Sequence, residues 1–146
     1  MNTHTLDRYL SLWADPSPDR DLALLDSLTT PDVAFKDAIN DLVGRAKLKR
    51  IFRDASDAVE GTVIEFDGIA WPGPARAFVK WRYSGRLRRL GNRPWAVTGM
   101  SDISFSGDGL IARHEDHWDL ASGLYEYFPI IGGLFSGLRR RLRLKH

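Results

Sequence analysis

The chain has 146 residues, no cysteine and a formal net charge of +2. This length predicts a single domain over residues 1–146 that is large enough to bury a core, and the lack of cysteine excludes disulfides, thiolate nucleophiles and cysteine-ligated metals. No apolar run approaches the ~20 residues that span a bilayer, and the N-terminus lacks the pattern of a signal peptide, so we expect a cytoplasmic protein.

Helices are predicted in the first part of the chain. Apolar residues recur at helical spacing over 5–13 and over 44–58, where basic residues cover the opposite face. A shorter helix is predicted from Asp21, and the Thr30-Pro31-Asp32 segment is expected to end it in a turn.

A short strand is predicted between the second and third helices. Alternation places Val33, Phe35 and Asp37 on one face, so that the buried face ends in a carboxylate. A carboxylate in this position serves a functional site, or it caps the turn that leads to Asn40. The sequence alone leaves both roles open.

The rest of the chain is predicted to be mostly antiparallel sheet. Strands are expected over 62–71, 75–86, 95–105 and 109–119, joined by turns at 72–74 and 106–109. Trp81 faces inward by alternation, whereas Val63 and Ile69 fall on what should be the outer face. Helices followed by long antiparallel strands indicate an α+β domain with its helices collected on one side of a curved sheet.

The most informative segment is the last predicted strand, GLIARHEDHWD. Alternation places His114, Asp116 and Trp118 on one face and leaves Ile111 and Arg113 on the face expected to meet water. An imidazole, a carboxylate and an indole in a row suit an apolar pocket that handles a proton or a polar ligand atom. The alternative is an ordinary edge of the core.

The order of elements and several short motifs resemble the NTF2-like superfamily, in particular its SnoaL-like and ketosteroid-isomerase-like branches. The resemblance is carried by Phe35-x-Asp37, by Gly44 at the start of a helix and by a last strand that ends in Trp118-Asp119. It implies a cone-shaped antiparallel sheet wrapped around an N-terminal helix layer, with a C-terminal helical tail, an apolar pocket and a homodimer. Because the superfamily includes isomerases, cyclases, epoxide hydrolases, dehydratases and proteins that only bind, the fold does not name the reaction.

The resemblance to the isomerase branch assigns roles to particular residues. Asp37 matches the carboxylate that shuttles a proton, and Tyr9, in an Arg-Tyr pair of the first helix, matches the tyrosine that donates to the enolate. The second donor of that branch, a protonated aspartate, falls near Ser101, where this chain has no carboxylate on the matching face. This departure argues against steroid isomerisation. Trp118 matches a tryptophan of the last strand.

The chemistry expected of these residues is proton transfer. Burial among apolar side chains would raise the pKa of Asp37 and suit it to act as a general base. His114 is the candidate acid or hydrogen-bond donor, with Asp116 as its orienter, and a buried neutral histidine satisfied by the backbone is the alternative. Since His114 and Asp116 are expected to lie ~7 Å apart along the strand, a dyad is predicted across the cavity, between His114 and Asp37.

These features predict a protein that binds an apolar or polycyclic small molecule and performs cofactor-independent proton transfer of the isomerase, cyclase or hydratase/dehydratase type. The candidate catalytic residues are Asp37, His114, Asp116 and Tyr9. The candidate substrate-binding residues are Phe35, Phe52, Trp81, Ser101 and Trp118. The competing hypothesis is a non-catalytic ligand-binding or dimerisation module of the same fold.

No metal, cofactor or nucleic-acid partner is expected. His114 and His117 point to opposite faces of a strand and cannot chelate one ion without a bulge, and the aromatic residues do not interleave with the basic ones. The tail over 124–144 joins an apolar segment to a basic one. We expect it to close the cone or to pack at a dimer interface, with its arginines in solvent, rather than to contact a membrane.

Overall fold

The computed structural model of the chain describes residues 2–143. The α-helices are α1 (Thr3–Ala14), α2 (Leu25–Leu28), α3 (Arg45–Ala58), α4 (Leu120–Gly123) and α5 (Ile131–Leu142). The strands are β1 (Thr29–Lys36), β2 (Asp41–Val43), β3 (Val59–Gly73), β4 (Arg76–Leu87), β5 (Arg93–Phe105) and β6 (Ile111–Trp118). Short 3₁₀ turns cover Leu22–Leu24, Arg88–Leu90 and Tyr125–Tyr127. Of the helices in residues 2–143, none combines the length and apolar character needed to cross a membrane.

The six strands form one curved sheet in the order β2-β1-β6-β5-β4-β3. Neighbouring strands are antiparallel except for β1 and β6, which run parallel, so the sheet is mixed rather than wholly antiparallel as predicted. Helices α1 and α3 cover its inner face, where Leu6, Tyr9, Leu48 and Phe52 join one core with the inward side chains of the strands. The predicted α+β class, a helix layer against a curved sheet, is confirmed.

The predicted turn at Thr30-Pro31-Asp32 is wrong, because these residues belong to β1. Proline is tolerated there since the pairing of β1 with β6 is irregular between Thr29 and Ala34, and β2 pairs only with Ala34–Lys36. The missing N–H of Pro31 therefore breaks no regular ladder.

Two β-bulges overturn two predicted orientations. In β6, Ser104 pairs with Arg113 but Phe105 pairs with Ile111, so Ala112 is an extra residue and Ile111 turns inward, fully buried instead of facing water. In β3, Phe66 pairs with Trp81 but Gly68 pairs with Lys80. That second shift puts Ile69 opposite the inward-facing Val79, so Ile69 does not belong to the outer face.

The C-terminal segment packs against the open end of the sheet through its first turn. Leu124 and Tyr127 contact a second apolar cluster that includes Trp95, whose Nε1 donates to the carbonyl of Gly123. Helix α5 follows, and its side chains Leu134, Leu138 and Leu142 are exposed. The end of the tail, Leu144 to His146, lies outside the described residues.

One glycine allows the ring of Trp81 to approach the sheet closely. Gly99 of β5 pairs with Trp81 on one side and with Trp118 on the other, and a Cβ on Gly99 would lie 2.3 Å from the Trp81 ring. The ring of Trp81 therefore lies across the glycine backbone, and no other residue leaves room for it.

We predict that Gly99→Ala lowers the free energy of unfolding by ~1–3 kcal/mol, because the added methyl group displaces the Trp81 ring. Denaturant titration measures the change. Gly107→Ala is the matched control, since a Cβ there meets no atom within 4 Å, and it should be close to neutral. Equal effects of the two substitutions would contradict the close approach.

Candidate functional site

A partly open cavity of about 140 Å³ lies between the helix layer and the inner face of the sheet. Half of the residues that line it are aromatic. The indoles are those of Trp13, Trp81, Trp95 and Trp118, and the other rings are those of Phe35, Phe66 and Tyr83. The polar side chains that line it besides Tyr83 are Asp37, Ser101 and Asp116.

The structure separates the predicted site residues into two layers. The side chains that line the cavity are Phe35, Asp37, Trp81, Ser101, Asp116 and Trp118. The side chains that lie behind the wall, in the core, are Tyr9, Phe52 and His114. His114 is 3% exposed and packs edge-on against the rings of Tyr9 and Phe35.

The centre of the site is Asp116, which lies on β6 beside Ser101 of β5. Asp116 Oδ1 accepts a hydrogen bond from His114 Nε2 at 2.8 Å and another from Ser101 Oγ at 2.5 Å. Ser101 Oγ in turn accepts from Trp81 Nε1 at 2.9 Å. Among the described residues, Asp116 Oδ2 has no hydrogen-bond partner.

Tyr9 extends this network into the helix layer. Its hydroxyl lies 2.8 Å from His114 Nδ1. Complete burial raises the pKa of Tyr9, and the neighbouring Trp13 indole N–H acts in the opposite direction with a smaller effect. The phenol therefore keeps its proton. Because a carboxylate only accepts hydrogen bonds, the contact with Asp116 places a proton on His114 Nε2.

The carboxyl of Asp116 is held in its charged form. Desolvation by burial acts to raise the pKa of Asp116, but attraction to His114, the hydrogen bonds from His114 and Ser101, and the nearby indole N–H of Trp81 together outweigh it. The net result is a pKa of Asp116 below its usual range, so the cavity contains a carboxylate at neutral pH.

The predicted dyad between His114 and Asp37 is wrong. His114 bonds instead to Asp116, two residues along the same strand. The distance of ~7 Å expected between the His114 and Asp116 side chains applies to a flat strand. Here both side chains lie on the concave face of a curved sheet, where their tips converge, and the shared contact with Ser101 draws them together.

The carboxylate of Asp37 makes the hydrogen bonds of a turn cap. Its Oδ1 accepts from the backbone N–H of Ile39 at 2.7 Å and of Asn40 at 2.5 Å, and the Asn40 side-chain amide contacts both oxygens. This turn connects β1 to the short strand β2. Asp37 thus lines the cavity, but its oxygens already accept hydrogen bonds from the turn that follows β1.

Several cavity residues were absent from the sequence prediction. Trp13 lies one helical turn after Tyr9 on the same apolar stripe, so helical spacing was a signal for it. Tyr83 continues the inward alternation of Trp81 along β4. Phe66 and Trp95 carried no such signal, because the inward face of β3 and the end of β5 become a cavity wall only through the curvature of the sheet.

We predict that Tyr9→Phe lowers the free energy of unfolding by ~1–3 kcal/mol, because it leaves His114 Nδ1 buried without a partner. The ¹⁵N chemical shift of His114 Nδ1 should also move, because Nδ1 loses its partner, while Nε2 stays protonated against Asp116. Tyr125→Phe is a matched control, since the structure shows no side-chain hydrogen bond for the Tyr125 hydroxyl among residues 2–143. An unchanged Nδ1 shift in Tyr9→Phe would contradict the contact between Tyr9 and His114.

Comparison with known structures places the fold. An NTF2-like protein of unknown function from Exiguobacterium sp. 255-15 has a TM-score of 0.66 at 20% identity, covering 79% of this chain and 98% of its own. TsrD from Streptomyces laurentii has a TM-score of 0.67 at 20% identity, covering 85% and 94%. A protein from Catenulispora acidiphila with a ketosteroid isomerase-like fold, in complex with trimethylamine, has a TM-score of 0.65 at 19% identity, covering 79% and 88%.

Sequence comparison places the family. No curated protein matches the chain. The model of the SnoaL-like domain matches residues 6–114, which is most of the chain and includes Tyr9, Asp37 and His114. Asp116 lies just beyond the matched segment. The resemblance inferred from the motifs is confirmed: this chain belongs to the SnoaL-like domain family and has the NTF2-like fold.

Proposed function

We propose that the protein binds a small molecule in the aromatic cavity and moves a proton on it with the carboxylate of Asp116. The observation that carries this proposal is the different surroundings of the two carboxylate oxygens. Oδ1 accepts both hydrogen bonds of the network, which leaves Oδ2 as the oxygen available to a ligand. Burying a charged group with an unused acceptor is costly, and perturbed buried carboxylates of this kind concentrate at functional sites.

The step we propose is the abstraction of a proton from carbon next to a carbonyl group. Asp116 Oδ2 takes the proton, and the electron pair of the C–H bond moves to the carbonyl oxygen to give an enolate. The protonated carboxyl then returns the proton to the same or another carbon. The low basicity of Asp116 restricts this step to hydrogens that the substrate itself makes acidic.

His114, Ser101 and Tyr9 act as positioning residues in this proposal. His114 and Ser101 both donate to Oδ1 and hold the carboxylate plane, so that Oδ2 keeps one orientation. Tyr9 contacts Nδ1 of His114 from the core side and holds the orientation of the ring. Asp37 contributes negative charge to the cavity, while the turn keeps its oxygens occupied.

The size of the cavity limits what the ligand places inside it. A volume of about 140 Å³ is close to that of an engineered apolar cavity, ~150 Å³, that holds one benzene molecule. We therefore propose that a single ring or a group of similar size enters, and that the rest of a larger ligand stays at the open side. The trimethylamine in the Catenulispora acidiphila structure is a ligand of this small class.

A ligand-binding protein without catalysis is the second candidate. The low basicity of Asp116 favours it, and so does the turn-capping role of Asp37, whose oxygens are occupied by the local backbone and by Asn40. The two candidates share the cavity and differ in whether bound ligands exchange protons with Asp116.

Deuterium exchange tests the proposal without knowledge of the product. Single-ring ketones incubated with the protein in D₂O should lose the ¹H NMR signals of the hydrogens next to the carbonyl. Asp116→Asn should slow this exchange by ~10²–10⁴-fold, because an amide does not accept the proton. Asp37→Asn should leave the exchange nearly intact, since asparagine preserves the turn.

Asp108→Asn, an exposed carboxylate in the turn before β6, is the matched control and should have no effect. Exchange by the unmodified protein should persist down to about pH 4, because the pKa of Asp116 lies below the ordinary value of ~3.9. Equal loss in Asp116→Asn and Asp37→Asn would contradict the assignment of the base. Binding in the cavity without exchange would favour the binding protein.

We also propose that two copies of the chain associate through the outer face of the sheet. Val63 and Met100 lie on this face and are 51% and 45% exposed, which is unusual for two large apolar side chains on one sheet face. Light scattering at micromolar concentration should give twice the chain mass of 16.5 kDa. Met100→Lys should then produce a monomer, and a mass of 16.5 kDa for the unmodified protein would contradict the proposal.

A further inference from the structure

The charge of the cavity is opposite to that of the chain. The protein contains 21 Lys and Arg residues and has a net charge of +2, yet among residues 2–143 the charged side chains that line the cavity are Asp37 and Asp116. The half-buried guanidinium of Arg20 is directed elsewhere and donates to the carbonyls of Leu12, Asp15 and Phe52. Among the described residues, none that lines the cavity supplies a positive charge.

The aromatic wall has the same preference as the carboxylates. Aromatic faces carry negative potential and attract cations, with indoles the most effective of them, and four of the five tryptophans of the chain line this cavity. The rings are held in place by one another. Trp13 stacks on Phe35 at 5.9 Å, and Tyr83 meets Trp95 edge-on at 4.9 Å.

The oxygen of Asp116 that has no hydrogen-bond partner, Oδ2, favours a cationic ligand over a neutral one. A neutral apolar ligand would displace water from Oδ2 without offering a hydrogen bond or an opposite charge. The negative charge of Asp116 would then be buried without a partner. An anionic ligand would be repelled by both carboxylates. A cation replaces the lost water with direct attraction and has its remaining surface covered by aromatic faces.

We propose that the group that enters this cavity is a small organic cation, either a protonated amine or a quaternary ammonium group. The inference rests on the proposed function in that it uses the same cavity, and it specifies the charge of the ligand. A cationic group also makes the hydrogens on neighbouring carbons more acidic. That property suits the weak basicity of Asp116. When such a proton moves to the carboxylate, Asp116 becomes neutral, and the negative charge left on the ligand is balanced by its own cationic group.

A pair of isosteric probes tests the charge preference on the unmodified protein. Choline is the cationic probe, and the neutral probe is dimethylbutanol with a quaternary carbon in place of the choline nitrogen. Calorimetry should give a Kd for choline lower by at least about tenfold. The indole N–H signals of Trp13, Trp81, Trp95 and Trp118 should shift in NMR spectra, while that of Trp71, which packs on Phe105 outside the cavity, should not.

Asp116→Asn, which keeps the shape of the side chain, should raise the Kd for choline by about tenfold or more and leave that for dimethylbutanol unchanged or lower. Asp108→Asn should change neither value. Equal or tighter binding of the neutral probe to the unmodified protein would overturn the inference, and so would the absence of choline-induced shifts in the four indoles.

Different experimental results would contradict the proton-transfer proposal and the proposal of a cationic ligand. If single-ring ketones exchange protons and choline does not bind, the cationic preference is wrong and proton transfer by Asp116 stands. If choline binds at the four indoles and no ligand exchanges protons, the preference is right and the chemistry is wrong.

Discussion

The hydrogen bonds to Asp116 Oδ1 are the interaction on which the site depends. A carboxylate that is desolvated in an aromatic cavity stays charged only if donors offset the loss of water, and here His114 and Ser101 supply them. Each donor is fixed in turn by a second group, His114 by Tyr9 and Ser101 by Trp81. Helix α1 and strands β4, β5 and β6 therefore meet at one oxygen atom. A change in the packing of any of these elements therefore alters the hydrogen bonds of the Asp116 carboxylate.

Period-two alternation predicted which face of the last strand carries His114, Asp116 and Trp118, because the pairing there is regular. It failed for Ile111 and Ile69, since each lies beyond a bulge that inserts one residue and reverses the alternation. A bulge depends on how two paired strands fit together, so the sequence pattern of one strand alone does not reveal it. The contact between His114 and Asp116 was missed for a related reason: the convergence of side chains on a concave sheet is a property of the curvature.

The NTF2-like fold supplies the curved sheet and the helix layer. Two features of this sequence shape the cavity within that fold. Gly99 admits the ring of Trp81, and among the described residues that line the cavity the charged ones are both acidic. The cavity therefore carries negative charge although the chain as a whole is positive.

The hydrogen bond between Tyr9 and His114 joins residues 105 positions apart in the chain. Strands β1 and β6, which flank the site, are likewise brought together from opposite ends of the sequence. Contacts of such long range close late in folding, since the entropy of the intervening loop must be lost before they form. During synthesis the N-terminal helix is made well before its partner strand leaves the ribosome. The assembled network around Asp116 is therefore a marker of completed folding, and a partly folded chain lacks this arrangement of hydrogen bonds.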